Sequence, residues 1–345
     1  HHVVFVARKA CVLISQNNQG EIMQQEIRFA TFNVCNLAPP GMKYYERMEP
    51  YTRAEYDAKT TWLAQQLDRM DADVIGFQEI FSQDALKDVL AKTRLYRDAH
   101  HVGFDPDQKA ERLTPSVALV SRLPLVGPAQ AIADLPPELH TTLPGDGRPV
   151  VRFTRPVLHA RVRLADRLMA HVFVLHLKSK RPDYLHGEHE DDYRDHGIAT
   201  LRSLVRRGTE SLGVRLLLAD MLHGNRVPAV VMGDFNDVIT ATTTELLMGG
   251  GQHKRESYDE RLFDAYRIQR RAPRGREVAF TDIHDGRYQT IDHILVSEEF
   301  NPESRFAIGE VEEVLYFNDH VAQDLPYATD HGQVLARVRL RGEGR

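Results

Sequence analysis

A mixed α/β or α+β fold is expected from three features of the chain. Short apolar segments of strand length recur along it, segments with helical spacing lie between them, and strands outnumber helices. No internal repeat or low-complexity tract breaks the pattern.

Each element has its own justification. Residues 27–32 alternate apolar and polar side chains, the period of a strand with one buried face. Residues 53–70 carry Tyr56, Leu63, Leu67 and Met70 at helical spacing, which predicts an amphipathic helix lying on an apolar surface. A short apolar strand over 73–77 ends at Gln78 and Glu79. Residues 83–92 read as a helix and 116–120 as a strand. The Pro- and Gly-rich stretch 128–149 reads as a long loop. Residues 157–164 and 170–177 predict a hairpin turning at Ala165, Asp166 and Arg167. A long helix follows, with Ile198, Leu201, Val205, Leu212 and Leu216 on one stripe. Residues 229–232 form a buried strand that breaks at Gly233, and strands over 291–296 and 334–340 close the set.

Composition narrows the function classes. The 345 residues are enough for one large core or two ordinary ones, and 42% apolar with 27% charged residues is an ordinary globular balance. No apolar run approaches the roughly 18 residues of a membrane span. A net charge of -5 argues against gripping nucleic acid by bulk charge, but leaves room for a local basic rim. Two cysteines, Cys11 and Cys35, make neither a disulfide scaffold nor a thiolate zinc site, which suits a reducing compartment. The segment 3–15 lacks a cleavage site and is interrupted by Arg8 and Lys9. Residues 1–22 are therefore expected to be tag, vector or upstream sequence, with the natural start at or near Met23. One domain spans 23–345, and the location is cytoplasmic, or secreted if the true start lies upstream.

Polar groups stand at the ends of the predicted strands. Asn33 follows the first and Glu79 the second, His176 lies near the end of a third, and Asp234 and Asn236 follow a fourth. Asp292 opens a strand, and Asp330 and His331 stand just before the last. An isolated buried carboxylate costs several kcal/mol (about 3–5 when its partner is removed) unless it is paired or binds a metal. Several carboxylates converging from strand ends suit a hard cation such as Mg²⁺ with oxygen ligands, and histidines beside them can handle protons.

These residues lie in motifs that resemble a known family. Phe29-Ala30-Thr31-Phe32-Asn33, Val74-Ile75-Gly76-Phe77-Gln78-Glu79 and Val117-Ala118-Leu119-Val120-Ser121-Arg122 resemble successive blocks of the endonuclease/exonuclease/phosphatase superfamily. So do His176-Leu177-Lys178-Ser179, Gly233-Asp234-Phe235-Asn236, Ile291-Asp292-His293-Ile294-Leu295 and Thr329-Asp330-His331. That family includes pancreatic-type deoxyribonucleases, abasic-site endonucleases, inositol polyphosphate phosphatases and neutral sphingomyelinases.

The resemblance implies two mixed β-sheets packed face to face with helices outside, a deoxyribonuclease-like four-layer sandwich. It implies a Mg²⁺ or Mn²⁺ cofactor held by Glu79, with Asn33 holding the metal or its water and Asp330 as a further ligand. Asp234 and Asn236 would position the nucleophilic water and the phosphate. His331 would act as general base or polarise the phosphate, with Asp292 orienting it. His176 matches the deoxyribonuclease and sphingomyelinase branches and argues against the abasic-site endonucleases. Arg122, Arg155 and Lys178 lie beside family motifs and are expected to contact phosphate.

The implied activity is metal-assisted hydrolysis of a phosphodiester, by a nuclease on DNA with little sequence preference. The stretch 285–295 and the Leu177-Lys178-Ser179 run resemble bacterial nuclease-type members. The alternative is a phosphatase or a phospholipase C-like enzyme on small or lipid phosphoesters, which the net charge favours. A nucleic-acid substrate is the partner expected, with neither stable membrane association nor a protein partner implied. The loop cluster His186, His189, Glu190, Asp191, Asp192 and His196 reads as a solvated face. The run Arg267, Arg270, Arg271, Arg274 and Arg276 reads equally as a phosphate rest or a solvated face.

Overall fold

The computed structural model describes residues 25–106, 113–250, 259–271 and 279–342. The expected extension 1–22, Cys11, Arg274 and Arg276 lie outside the described residues.

The chain opens with β1 (Glu26–Leu37), α1 (Arg53–Met70), β2 (Val74–Ile80), α2 (Gln83–Lys92), β3 (His100–Gly103) and β4 (Ser116–Ser121). Then come β5 (Gln130–Asp134), β6 (Thr141–Leu143), β7 (Asp146–Val150), β8 (Arg152–Ala165), β9 (Leu168–His176), α3 (Tyr193–Leu222) and β10 (Ala229–Asp234). The remainder is α4 (Thr242–Met248), β11 (Phe263–Asp264), α5 (Ala265–Ile268), β12 (Asp282–His284), β13 (Arg287–Gln289), β14 (Asp292–Val296), β15 (Gly309–Phe317) and β16 (Gln333–Leu340).

Twelve of these strands form two six-stranded sheets, β15-β16-β1-β2-β4-β3 and β11-β14-β10-β9-β8-β5. Each holds one parallel pair, β1 with β2 and β9 with β10, among antiparallel neighbours. The two stack on an apolar interior of Phe29, Val74 and Leu119 from one sheet and Leu158, Val172, Val174 and Met232 from the other. Helices α1 and α2 cover the first sheet's outer face, with Leu63, Leu67, Leu86 and Val89 against Phe32, Ile75 and Phe77. Helix α3 covers the second, with Val214, Leu218 and Leu222 against Phe173, Leu175 and Val231. This is the four-layer arrangement that the sequence motifs imply.

Capping explains where the outer helices begin. Thr52 and Glu55 form a reciprocal capping box on α1, Ser82 caps α2, and Asp192 accepts from Arg194 and Asp195 N–H at the start of α3.

Three expectations change. The 128–149 stretch is not a loop: β5 pairs on the edge of the second sheet, and β6 and β7 form a two-stranded ribbon in which Pro149 is tolerated. The strand at 229–232 continues through Gly233 to Asp234. The apolar stripe of α3 is not its buried face, since Ile198 and Leu201 are 39% and 45% exposed. The face turned inward carries Arg202, Arg207 and Glu210 beside Ala199, Val214 and Leu218. Arg202 forks onto Glu188 through two 2.6 Å bonds, and Arg207 pairs with Asp237 at 3.1 Å. Hydrophobic periodicity cannot register a buried face built from ion pairs. No helix among the described residues is long and apolar enough to cross a membrane.

Candidate functional site

At one edge of the sandwich β1, β2, β9 and β10 end, while the antiparallel β14 and β16 begin. Asp234 is the register partner of His176 across β9–β10 and of Asp292 across β10–β14. Three functional side chains therefore stand in a row on neighbouring strands. Gly233 permits this spacing, because a Cβ there would lie 1.9 Å from Leu175 O.

The first sheet answers with irregular backbone. Cys35, Asn36 and Glu79 adopt positive φ, as does Asn236 beyond β10, at about 1–3 kcal/mol each. Register shifts follow Asn33 in β1 and Phe77 in β2. These bulges bring Glu79 to the seam between the sheets, where Asn36 N–H donates to its Oε2 at 2.9 Å.

Asn33 ties the two sheets together. Its Nδ2 donates to Asp234 Oδ2 at 3.0 Å and to Glu79 Oε1 at 3.3 Å, and lies 3.4 Å from His331 Nε2. Its Oδ1 accepts from Cys35 N–H at 3.0 Å. Asn33 thus clamps the carboxylates through its amide nitrogen, while its Oδ1, which has a second lone pair, keeps the expected role beside the metal or its water open. His331 Nδ1 bonds Asp292 Oδ2 at 2.8 Å, and its Nε2 lies 3.9 Å from Asp234 Oδ2 and 4.0 Å from Asp330 Oδ1. His176 Nε2 lies 3.4 Å from Asp234 Oδ2. Asn236 holds Asp234 Oδ1 through its backbone N–H at 2.8 Å, while its side-chain amide donates to Leu177 O at 2.9 Å.

The electrostatics divide the two histidines. Burial, helped by Arg155 and His331, pushes His176 well below the usual imidazole range, so it is neutral. Burial opposes charge on His331 too, but the Asp292 carboxylate and its hydrogen bond, with Asp234 and Asp330, raise it well above that range. Burial and the neighbouring Asp292 raise Asp234 to about 7.

The residues fit a hard cation. Asp292 Oδ1 is buried without a hydrogen-bond partner, and Asp234, Asp292 and His331 offer ligand atoms within 4.8 Å of one another. Glu79 presents its carboxylate across the same seam, and Asp330, with a 72% exposed side chain, stands at its mouth. An acidic, oxygen-rich donor set of this kind suits a divalent metal.

The expected phosphate contacts separate. Arg155 belongs to the site, its Nε donating to His176 O at 2.9 Å and its Nη2 to Leu177 O at 2.6 Å. Arg122 does not: β4 runs antiparallel to β2, so its end lies at the opposite edge, where Arg122 is paired with Asp71 and Asp73. Lys178 turns its Nζ to Ser179 O, Arg181 O and Ser203 Oγ, and burial lowers it to about 8. It lines an adjoining groove with Arg152 and Arg206, outside the catalytic row. Of the Arg267–Arg276 run, Arg270 and Arg271 are ion-paired with Glu310 and Glu313 of β15.

Sequence reasoning missed the supports. Thr329 Oγ1 donates to Asn33 O at 2.7 Å and accepts from His331 N–H, and Thr281 Oγ1 accepts from Ile291 and Asp292 N–H. Lys59 is 3% exposed on α1, and burial lowers its pKa while Cys35, Glu79 and Asp330 oppose that. Its signal was present, because a lysine three residues after Tyr56 sits on the helix's apolar face.

The model of the endonuclease/exonuclease/phosphatase family matches residues 30–331. No curated protein matches the chain. Among solved structures, the chain is similar to the endonuclease/exonuclease/phosphatase from Bacteroides vulgatus, at 16% identity and a TM-score of 0.55 over 92% of this chain and 100% of that one. It is similar to the human Nocturnin catalytic domain, solved with a bound sulfate, at 15% identity and 0.56 over 92% and 95%. A humanized D. rerio TDP2 gives 12% identity and 0.54 over 91% and 98%. These likenesses establish the shared fold. The family match over nearly the whole chain, with its acid–histidine row assembled at one edge, makes this chain a member of the endonuclease/exonuclease/phosphatase family, a group of phosphoester hydrolases that generally use a divalent metal.

Proposed function

We propose that the chain is a Mg²⁺- or Mn²⁺-dependent phosphodiesterase acting on nucleic acid, most simply DNA with little sequence preference. The observation that carries this reading is the row His176–Asp234–Asp292 with His331 behind it, facing Glu79 across the seam. Arg155 and the exposed Arg181 place cations beside it, which suits a polyanion entering locally despite the net charge of -5.

A bound divalent cation would be held by Glu79 with Asn33 and Asp330 and would supply Lewis acidity to a phosphoryl oxygen. The chain's own residues do the rest. Asp234 takes a proton from the attacking water as the water oxygen bonds to phosphorus and the ester P–O bond breaks, and the departing oxygen takes a proton from solvent. Asn33, His176 and the Asn236 N–H hold that carboxylate in place. The His331 imidazolium, fixed by Asp292, places a charged donor where negative charge grows on the phosphoryl oxygens.

The test is nicking of supercoiled plasmid with Mg²⁺ or Mn²⁺, beside EDTA and a His331→Ala, Asp234→Ala double variant. Nicking that disappears in both controls supports the reading. An intact plasmid together with hydrolysis of a simple aryl phosphate sinks it in favour of a small-molecule or lipid phosphoesterase.

A further inference from the structure

Between β1 and α1 the chain forms a lip beside the site, and the lip exposes large apolar side chains. Met42, Tyr45 and Met48 are 47%, 36% and 44% exposed. The segment is nevertheless pinned. Gly41 N–H donates to Tyr51 O at 2.9 Å, Met48 N–H to Tyr45 O at 3.2 Å, and Lys43 Nζ to Met48 O at 2.7 Å.

Tyr45 is the ring with backing. It meets Phe81 edge-on at 5.3 Å and 84°, and its centroid is 5.9 Å from Tyr44. Tyr44 in turn stacks on Tyr51 at 5.3 Å and 10° and packs against Phe81. Phe81 stands two residues after Glu79 and is tied to β1 by its N–H to Leu37 O. An exposed aromatic is thus braced by three buried or half-buried rings within reach of the metal carboxylate. Burial, with Glu79 and against Arg155, pushes the Tyr45 hydroxyl up to about 12, so the ring is neutral at working pH.

An exposed ring braced in this way offers a flat, sequence-blind contact, and every nucleobase has a π-face to meet it. A lipid surface is disfavoured by the charges interleaved in the lip: Glu46, Arg47 and Glu49 are all exposed beside Tyr45 and Met48. We propose that Tyr45 is the stacking platform for a nucleobase next to the scissile phosphate, with Arg155 and Arg181 meeting the neighbouring phosphate. This rests on the nuclease reading above. A base inside a duplex cannot reach such a platform, so the preferred substrate is a single strand or a locally opened one.

The experiment compares the full chain with Tyr45→Phe and Tyr45→Leu, the latter keeping an apolar contact to Phe81. Each is assayed with Mn²⁺ on a single-stranded oligonucleotide, on the same strand built from base-free tetrahydrofuran units, and on phosphatidylcholine vesicles. Tyr45→Leu is expected to raise KM for the normal strand roughly 10-fold or more, with little change in kcat. Its KM for the base-free strand should stay within twofold of the wild type, and Tyr45→Phe should match the wild type throughout. If the wild type cuts the normal strand and Tyr45→Leu cuts it with unchanged KM, or loses equally on both strands, the stacking platform is overturned while the nuclease reading stands. If the wild type leaves the normal strand intact but nicks supercoiled plasmid, the stacking platform is overturned while the nuclease reading stands; if it leaves both intact, both fall. In that case, vesicle hydrolysis that disappears in Tyr45→Leu would assign the lip to a lipid surface.

Discussion

His176 and Asp234 face each other as register partners at the ends of two parallel strands, with Nε2 3.4 Å from Oδ2. Their meeting depends on the backbones of β9 and β10, and at Gly233 there is no room between them for a Cβ, which would lie 1.9 Å from Leu175 O. Small errors in that pairing reach the chemistry directly.

Gly233→Ala would drive a methyl group into Leu175 O. The strands must part, at a cost of about 3 kcal/mol or more. Urea unfolding should show that loss, and hydrolysis should fall further than stability explains because His176 leaves Asp234. A variant with wild-type stability and activity would show that the approach can relax.

Asp292→Asn removes the strongest of the influences that raise His331 and leaves Asp234 and Asp330 alone against burial. Because the folded-state pKa of His331 is raised, its charged form contributes stability below its unfolded value near 6.5, and the contribution is lost as pH rises through the folded value. NMR titration should find the His331 pKa lower in the variant than in the wild type. Turnover should fall by roughly 10²–10⁴.

His159 gives a pH effect away from the site. It stacks on Phe173, its Nε2 lies 2.8 Å from His171 Nδ1, and burial, with His171 and Arg161, lowers it to about 4. A histidine lowered by folding contributes stability above its unfolded pKa near 6.5, and that contribution drains away as pH falls toward 4. The loss should be about 2–3 kcal/mol across that window. Stability curves of His159→Phe should lack this part of the acid slope. Parallel curves for the two proteins would refute it.

Metal binding can be read without turnover. Mn²⁺ at about 100 times its Kd should stabilise the protein by about 2.7 kcal/mol. EDTA should abolish that gain, and Glu79→Ala should reduce it strongly. Thermal melts check this, and a gain that survives in Glu79→Ala would move the metal elsewhere.

Much of the site could be read from the sequence because each functional polar residue interrupts or bounds an apolar run. Gly233-Asp234 after residues 229–232 is the clearest case. What the sequence withholds is strand direction. Arg122 follows its strand just as Glu79 follows its own, yet β4 runs against β2, and the two residues end at opposite edges. Asp292 opens its strand and His331 precedes its own, and they reach the site for the same reason. The α3 stripe misled differently, since its inward face is satisfied by Glu188, Asp237 and the Thr154 and Lys178 N–H groups bonded to Glu210, partners distant in sequence. The Pro- and Gly-rich edge at 130–150 shows that such residues mark edges as readily as loops.

Strand β16 is hydrogen-bonded between β15 and β1, so the first strand waits for the last one before its sheet is whole. His331 stands two residues before β16, while Asn33 lies on β1. A chain still emerging from the ribosome, or one without that strand, therefore has nothing to hold His331 beside Asn33. The candidate site is thus closed by the last strand of the first sheet, and His331 meets Asp292 only once that strand has docked.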